Sequence, residues 1–183
     1  MPVSGGTQFL KPQEVLASLN VIEGMKVADL GCGNLGYFII PLAKLVGKEG
    51  VAYALDIQKS VLDGVKSRAK LEGITNLETV WANLEKAGSI QIPAGSLDIA
   101  LLINVLFQNK DRKAIIKEAA RLLKKGGKLL IIDWKKTGIP FGPAVQLRVD
   151  SSEIKKMSAE FGLNLIEEKE FGDYFWGLVL QKN

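Results

Sequence analysis

Gly31, Gly33 and Gly36 in the stretch VADLGCGNLGYF, with Asp29 just ahead of them and Asp56 further on, are the residues whose types and spacing could hold a ligand. Glycines at a strand-to-helix turn let backbone approach a bound molecule, and a helix opening near Gly36 aims free amides and its positive end at an anionic group. Asp56 closes the next apolar run, where a carboxylate can accept hydrogen bonds from both hydroxyls of a ribose. Together these groups suit a nucleoside with a negatively charged tail. A bare structural turn would account for the glycines but not for the position of Asp56.

The elements that must position these residues alternate in type. Residues 12–19 read as a helix with proline in its first turn, and KVADL is a short strand running into the glycines. A helix over 37–46 follows, with Pro41 near its first turn, then a strand VAYALDI too apolar to alternate. The pattern repeats with a helix over 60–71 opened by Ser60, a strand LETVWAN, a strand within LDIALLINVLF, and a helix over 111–124 ended by Gly126 and Gly127. KLLIIDW is the fifth strand. An irregular connection over 135–150 and a capped helix over 151–161 lead to two strands, 163–171 and 174–182, joined at Gly172 and Asp173. The expectation is one domain over 1–183, a doubly wound three-layer α/β/α sandwich. Its seven-stranded, mostly parallel sheet should end in an antiparallel hairpin.

Composition excludes several chemistries. The chain has no histidine, the commonest metal ligand and neutral-pH base, and its single Cys32 allows neither an intramolecular disulfide nor a thiolate cluster. No metal site is expected. The net charge of +4 is mild, and the lysine pairs 124–125, 135–136 and 155–156 are scattered. They read as solvated element ends rather than a nucleic-acid face. No apolar run approaches the roughly 18 residues of a membrane span, and MPVSGGTQFL lacks a signal peptide's features, so a cytoplasmic chain without a membrane partner is expected.

The order VIEGMKVADLGCG, GVAYALDI, NLETVWAN, GSLDIALLINVL, RLLKKGGKLLIIDW and terminal hairpin resembles the class I S-adenosylmethionine-dependent methyltransferases over nearly the whole chain. The resemblance implies S-adenosylmethionine as cofactor. It places the methionine part on the turn Asp29, Gly31, Cys32 and Gly33, and the ribose on Asp56. The adenine would lie between Ile57 and Leu84 with its edge on Asn83, and Asn104 would face the sulfonium and the acceptor. Two departures stand out. Both Asn34 and Leu35 separate Gly33 from Gly36, so the turn should bulge or the helix start late, and Asn83 replaces a frequent aspartate. The wider glycine spacing matches an NAD(P)-binding oxidoreductase, but Asp29 would repel a pyrophosphate.

Methyl transfer from a sulfonium is an in-line displacement that needs positioning and dryness more than a base, so a chain without histidine can perform it. Asn104 and Asp133 are the catalytic candidates, with Gln108, Asn109 and Trp134 beside them. Asp133 could serve as a base or orient a cationic acceptor; the plainer reading pairs it with a lysine such as Lys135. Trp134, Phe141 and Trp176 could line an apolar pocket or simply pack. The connection 135–150 is the expected lid. Since it is short, the acceptor is partly exposed, or the N-terminal SGGTQFLKP folds over the site, or a second subunit of a homodimer closes it. A small-molecule acceptor is favoured. RNA or protein as acceptor, and a binding domain that has lost catalysis, are the alternatives.

Overall fold

The computed structural model describes residues 6–138 and 140–183. Seven strands form one sheet in the order β3-β2-β1-β4-β5-β7-β6. They are β1 (Lys26–Leu30), β2 (Val51–Asp56), β3 (Leu77–Trp81), β4 (Leu97–Ile103), β5 (Leu123–Trp134), β6 (Leu163–Phe171) and β7 (Phe175–Lys182). The helices are α1 (Pro12–Ala17), α2 (Ile39–Val46), α3 (Lys59–Leu71), α4 (Arg112–Leu122) and α5 (Ser151–Ala159). β1 pairs in parallel with β2 and β4, β2 with β3, and β4 with β5; β7 runs antiparallel to both β5 and β6. This is the doubly wound sheet with an antiparallel hairpin that the alternation of elements implied.

Consecutive residues of the central strands are buried, including Val27 and Ala28, Ala100 to Leu102, and Leu129 to Ile132. Alternate side chains point to opposite faces of a sheet, so both faces are covered. Each such Leu or Ile removed from water contributes about 1.5–3 kcal/mol. Strand order reverses between β1 and β4, which opens a crevice at their carboxyl ends. The opposite end is stapled: Asp98 accepts the Lys26 amide at 2.8 Å and pairs with Lys124.

Two local expectations shift and two hold. Ser60 does not cap α3: Gln58 holds the cap position and makes no side-chain bond there. For α5 the cap is Asp150, which accepts the Ser152 amide at 2.8 Å. Gly126 and Gly127 do not end α4, which stops at Leu122; they lie in a bulged start of β5. A Cβ on Gly127 would stand 2.9 Å from the Leu97 carbonyl oxygen and 3.0 Å from that of Lys124, so backbone crowding decides this residue. Lastly, α2 begins only at Ile39, as the extra residue between Gly33 and Gly36 suggested, with Pro41 in its first turn.

Residues Asn34–Gly36 form a separate 3-10 turn in which Leu35 takes φ 62° and Gly36 φ 57°. Leu35 carries the strain of a left-handed residue with a side chain. Gly36 has no choice, because its Cβ would meet Ile39 at 2.8 Å and Val65 at 3.1 Å. Arg68 secures the turn: Nη1 donates to the Leu35 carbonyl at 2.9 Å while Nε pairs with Glu72 at 2.7 Å.

Candidate functional site

The glycine turn is anchored on the end of β2. Gly31 and Cys32 amides donate to the Leu55 carbonyl at 2.9 and 2.8 Å. The Gly33 amide donates to Asp56 Oδ2 at 3.2 Å, and the Gln58 amide to Oδ1 at 2.9 Å. Each carboxylate oxygen has two lone pairs, so these bonds orient Asp56 and leave one acceptor site on each oxygen. The glycines divide their roles. At Gly31, with φ 93°, a Cβ would stand 2.7 Å from Val105 Cγ2, whereas no atom lies within 4 Å of a Cβ on Gly33. Gly31 is thus demanded by packing against the segment after β4, and Gly33 faces open space.

Asp29 is 1 % exposed, and its Oδ2 has no hydrogen-bond partner. Burial, aided by the charge of Asp56, pushes its carboxyl up to about 7. Across the crevice-forming reversal, Asn104 is 2 % exposed at φ 58°, with neither Oδ1 nor Nδ2 partnered. An unpaired buried polar atom costs about 1–3 kcal/mol, so these atoms are a standing cost unless something else satisfies them. They want a cationic donor at Asp29 and a donor and an acceptor at Asn104. That is the polarity of an amino-acid end group. Burial, with Asp29 and Asp56 adding to it, holds the Cys32 thiol in its neutral form.

Asp29 also gives a pH dependence. With a native pKa near 7 against an ordinary carboxylate value of 3.8, the folded protein holds a proton that the unfolded chain releases between those limits. Stability therefore falls as pH rises through that window and levels off above it. Relative to wild type, Asp29→Asn should gain stability steadily from pH 4 to 7 and hold the gain to pH 8 in urea unfolding. Parallel profiles for the two proteins would show that native Asp29 is ionised across that window, with no raised pKa.

On the far side of Asp56, Ile57 is 53 % exposed and Trp81 54 % exposed, with Trp81 Nε1 donating to the Ile57 carbonyl at 2.8 Å. Trp81 pairs in register with Asp56 across β2 and β3, which makes it a wall of this region that the sequence did not single out. The only signal was an indole at a strand end. Asn83 Oδ1 accepts the Glu85 amide at 3.0 Å, fixing the turn after β3, and Leu84 Cδ1 lies 3.9 Å from where a Gly31 Cβ would be.

Asp133 is fully buried, accepting the Phe107 amide at 3.1 Å on Oδ2 and the Trp134 amide at 2.8 Å on Oδ1. Burial pushes its carboxyl up to about 7 against the pull of the Trp134, Phe107 and Leu106 amides and of Arg112. Its expected lysine partner is elsewhere: Lys135 pairs with Glu170 at 2.9 Å. The carboxylate instead ties the segment after β4 to the end of β5. Gln108 and Asn109 brace the same segment, donating to the Asn104 and Val105 carbonyls at 2.7 and 2.8 Å.

The aromatic residues pack. Trp134 is fully buried, 4.5 Å between ring centroids from Phe175 and 6.2 Å from Phe141. Trp176 donates to the Val149 carbonyl at 2.9 Å. The described part of the N-terminal segment packs on these aromatics: a Cβ on Gly6 would run into the Trp134 ring, and Phe9 contacts Phe141 and Tyr174. Ser4 and Gly5 of that segment lie outside the described residues. Arg148, which no periodicity marks, binds the connection 135–150 together from inside.

Two cavities, of about 700 Å³ beside Ile90, Glu118 and Arg121 and about 300 Å³ beside Asp150, Glu168 and Trp176, are lined by neither the glycine turn nor Asp56. The crevice is distinct from both. Among the described residues no cluster of His, Cys, Asp or Glu could hold a metal ion, and no helix is long and apolar enough to cross a membrane.

A family model described as a methyltransferase domain matches residues 22–171. The chain is 31 % identical over 145 residues to the ubiquinone/menaquinone biosynthesis C-methyltransferase of Laribacter hongkongensis, covering 79 % of this chain and 57 % of that protein. It is 28 % identical over 121 residues to the demethylmenaquinone methyltransferase of Geobacillus sp., covering 66 % of this chain and 50 % of that protein. The chain thus spans about half the length of these curated relatives. The crystal structure of a SAM-dependent methyltransferase from Aquifex aeolicus superposes with a TM-score of 0.85 at 25 % identity, covering 98 % of this chain and 93 % of that one.

Proposed function

Because this chain belongs to the class I S-adenosylmethionine-dependent methyltransferase family, we propose that it transfers a methyl group to a small, apolar organic acceptor. The observation that carries the reading is the set of unpartnered buried atoms, Asp29 Oδ2 with Asn104 Oδ1 and Nδ2, beside the free lone pairs of Asp56. S-adenosylmethionine supplies, when bound, an electrophilic methyl group on a sulfonium. Asp29 and Asn104 would receive its amino-acid end, Asp56 its ribose hydroxyls, and Ile57, Trp81, Asn83 and Leu84 its adenine. Gly33 keeps the approach open, since nothing fills the space where a side chain would be.

The reaction asks the protein for alignment and dryness. Buried Val105, Leu106 and Phe107 supply an apolar segment next to Asn104, and Asp133 locks that segment to β5. Locked by backbone amides, Asp133 is a positioning carboxylate in this reading rather than a free base. The acceptor must therefore bring its own nucleophile. A hydroquinone would do so through an ionised hydroxyl that makes a ring carbon nucleophilic, the ring proton displaced by the methyl re-forming that hydroxyl, and two of the relatives are named for quinone methylation. We take a reduced quinone-like ring as the acceptor class.

The test is incubation with methyl-labelled S-adenosylmethionine and a reduced 1,4-naphthoquinone carrying a short prenyl chain. Mass spectrometry should find one added methyl on the ring. Label passing to RNA or protein instead would overturn the acceptor class, and thermal protection by NADH but not by S-adenosylhomocysteine would overturn the cofactor as well.

A further inference from the structure

We propose that Arg148 is the positioning residue of the acceptor wall, shaping the connection between β5 and α5 against Trp134 and thereby setting which acceptors enter. This rests on the methyltransferase reading above. Arg148 is 3 % exposed, yet it makes no ion pair among the described residues. Its guanidinium donates instead to four backbone carbonyls of its own connection. Nε reaches Pro143 at 2.9 Å, Nη1 reaches Lys135 at 3.1 Å and Thr137 at 2.7 Å, and Nη2 reaches Phe141 at 3.0 Å. The same group lies 5.5 Å from the centroid of the Trp134 ring.

No ordinary stability argument requires this arrangement. Burying a cation without a counter-charge is unfavourable, and burial alone lowers the pKa of Arg148. What the group does provide is shape. The described residues of 135–144 contain no helix or strand, so their carbonyls have few regular partners, and one planar fork gathers four of them. A lysine presents its donors from a single point and cannot span that set. Gly142, at φ 83°, is pressed so closely on Trp134 that a Cβ would stand 2.8 Å from the ring.

The wall so formed is connected to the chemistry. Trp134 follows Asp133, whose carboxylate holds the Phe107 amide in the segment that begins at Asn104. On its outer side the same connection shows Phe141, Val145 and Leu147, which are 36 %, 40 % and 51 % exposed. Arg112 joins this connection to the segment after β4, with Nη2 donating to the Leu147 carbonyl at 3.5 Å and Nε to the Leu106 carbonyl at 2.9 Å, so a connection held in shape by Arg148 offers a flat apolar ring an apolar wall near that segment.

Arg148→Lys and Arg148→Met test this through hydrogen exchange and binding. In wild type, the reduced prenyl-naphthoquinone, added with S-adenosylhomocysteine, should slow exchange of amides 136–147. In Arg148→Lys those amides should exchange about tenfold or more faster, and the probe should no longer protect them, while β1, β4 and β5 are unchanged. Calorimetric affinity for S-adenosylhomocysteine should stay within about twofold of wild type, and the acceptor KM should rise with little change in kcat. If Arg148→Met does not fold, the lysine variant carries the test. Unaltered exchange in the lysine variant, or a wild-type connection that the probe does not protect, overturns the proposal. Failure of wild type to bind S-adenosylhomocysteine overturns the methyltransferase reading instead.

Discussion

Asp56→Ala is expected to weaken binding of S-adenosylhomocysteine by about 100-fold or more, the loss of two charge-assisted hydrogen bonds at about 1.5–3 kcal/mol each. The carboxylate is already oriented by the Gly33 and Gln58 amides, so little side-chain freedom is lost when a ribose arrives. Removing it has a second effect, because the Gly33 amide loses its acceptor and the turn loses one of its ties to β2. Asp56→Asn keeps the shape and one acceptor oxygen but sets its NH2 against the Gly33 or Gln58 amide, so its loss should be intermediate, about tenfold. Calorimetry on both variants checks the assignment, and a change of less than about threefold in Asp56→Ala would sink the ribose role. Removing the Asp56 charge should also bring the Asp29 pKa down, since that charge is one cause of its elevation.

The largest stability effect is expected at Trp134. Trp134→Ala should cost about 3–5 kcal/mol, a substantial part of the stability of an ordinary domain. The ring supports Gly6 and Gly142 at closest approach, packs against Phe175 and carries the guanidinium of Arg148, so the cavity would lie where several segments meet. Trp134→Phe is the informative control. The Trp134 Nε1 is buried without a partner, so phenylalanine forfeits no hydrogen bond and loses only volume, about 1–2 kcal/mol. Urea unfolding of the two variants separates packing from an indole-specific role, and a loss in Trp134→Phe equal to that in Trp134→Ala would contradict the packing account.

Much of the frame could be read from local pattern. The glycine turn, Asp56 at a strand end and the alternation of apolar runs each depend on neighbours in sequence, and even the late start of α2 followed from the count of residues between Gly33 and Gly36. What escaped depends on residues remote in sequence. Gly126 and Gly127 look like a helix stop, but Gly127 meets the carbonyls of Leu97 and Asp98 on β4. Asp133 looks like a partner for Lys135, but the lysine finds Glu170 on β6 and the carboxylate finds Phe107. Arg148 carries no local mark, since its partners are main-chain carbonyls and any residue type supplies those. In the candidate site the same division holds: the carboxylates were visible as residue types, whereas the lack of partners at Asp29 and Asn104 is a property of the packed surroundings.

The hairpin has a consequence for how the chain assembles. β7 lies between β5 and β6 although it comes after both in sequence, and among the described residues β6 pairs with no other strand. As the polypeptide is synthesised, β6 emerges with nothing to join, and the outer edge of β5 waits open beside it. Only when residues 175–182 follow can the two strands form a local ribbon, a step of low contact order, and then dock as a unit on β5. The half that holds Asp29, Asp56 and Asn104 is complete in sequence before that closure. During the interval the bare edge of β5 is where a nascent chain is most exposed to mispairing with a neighbour.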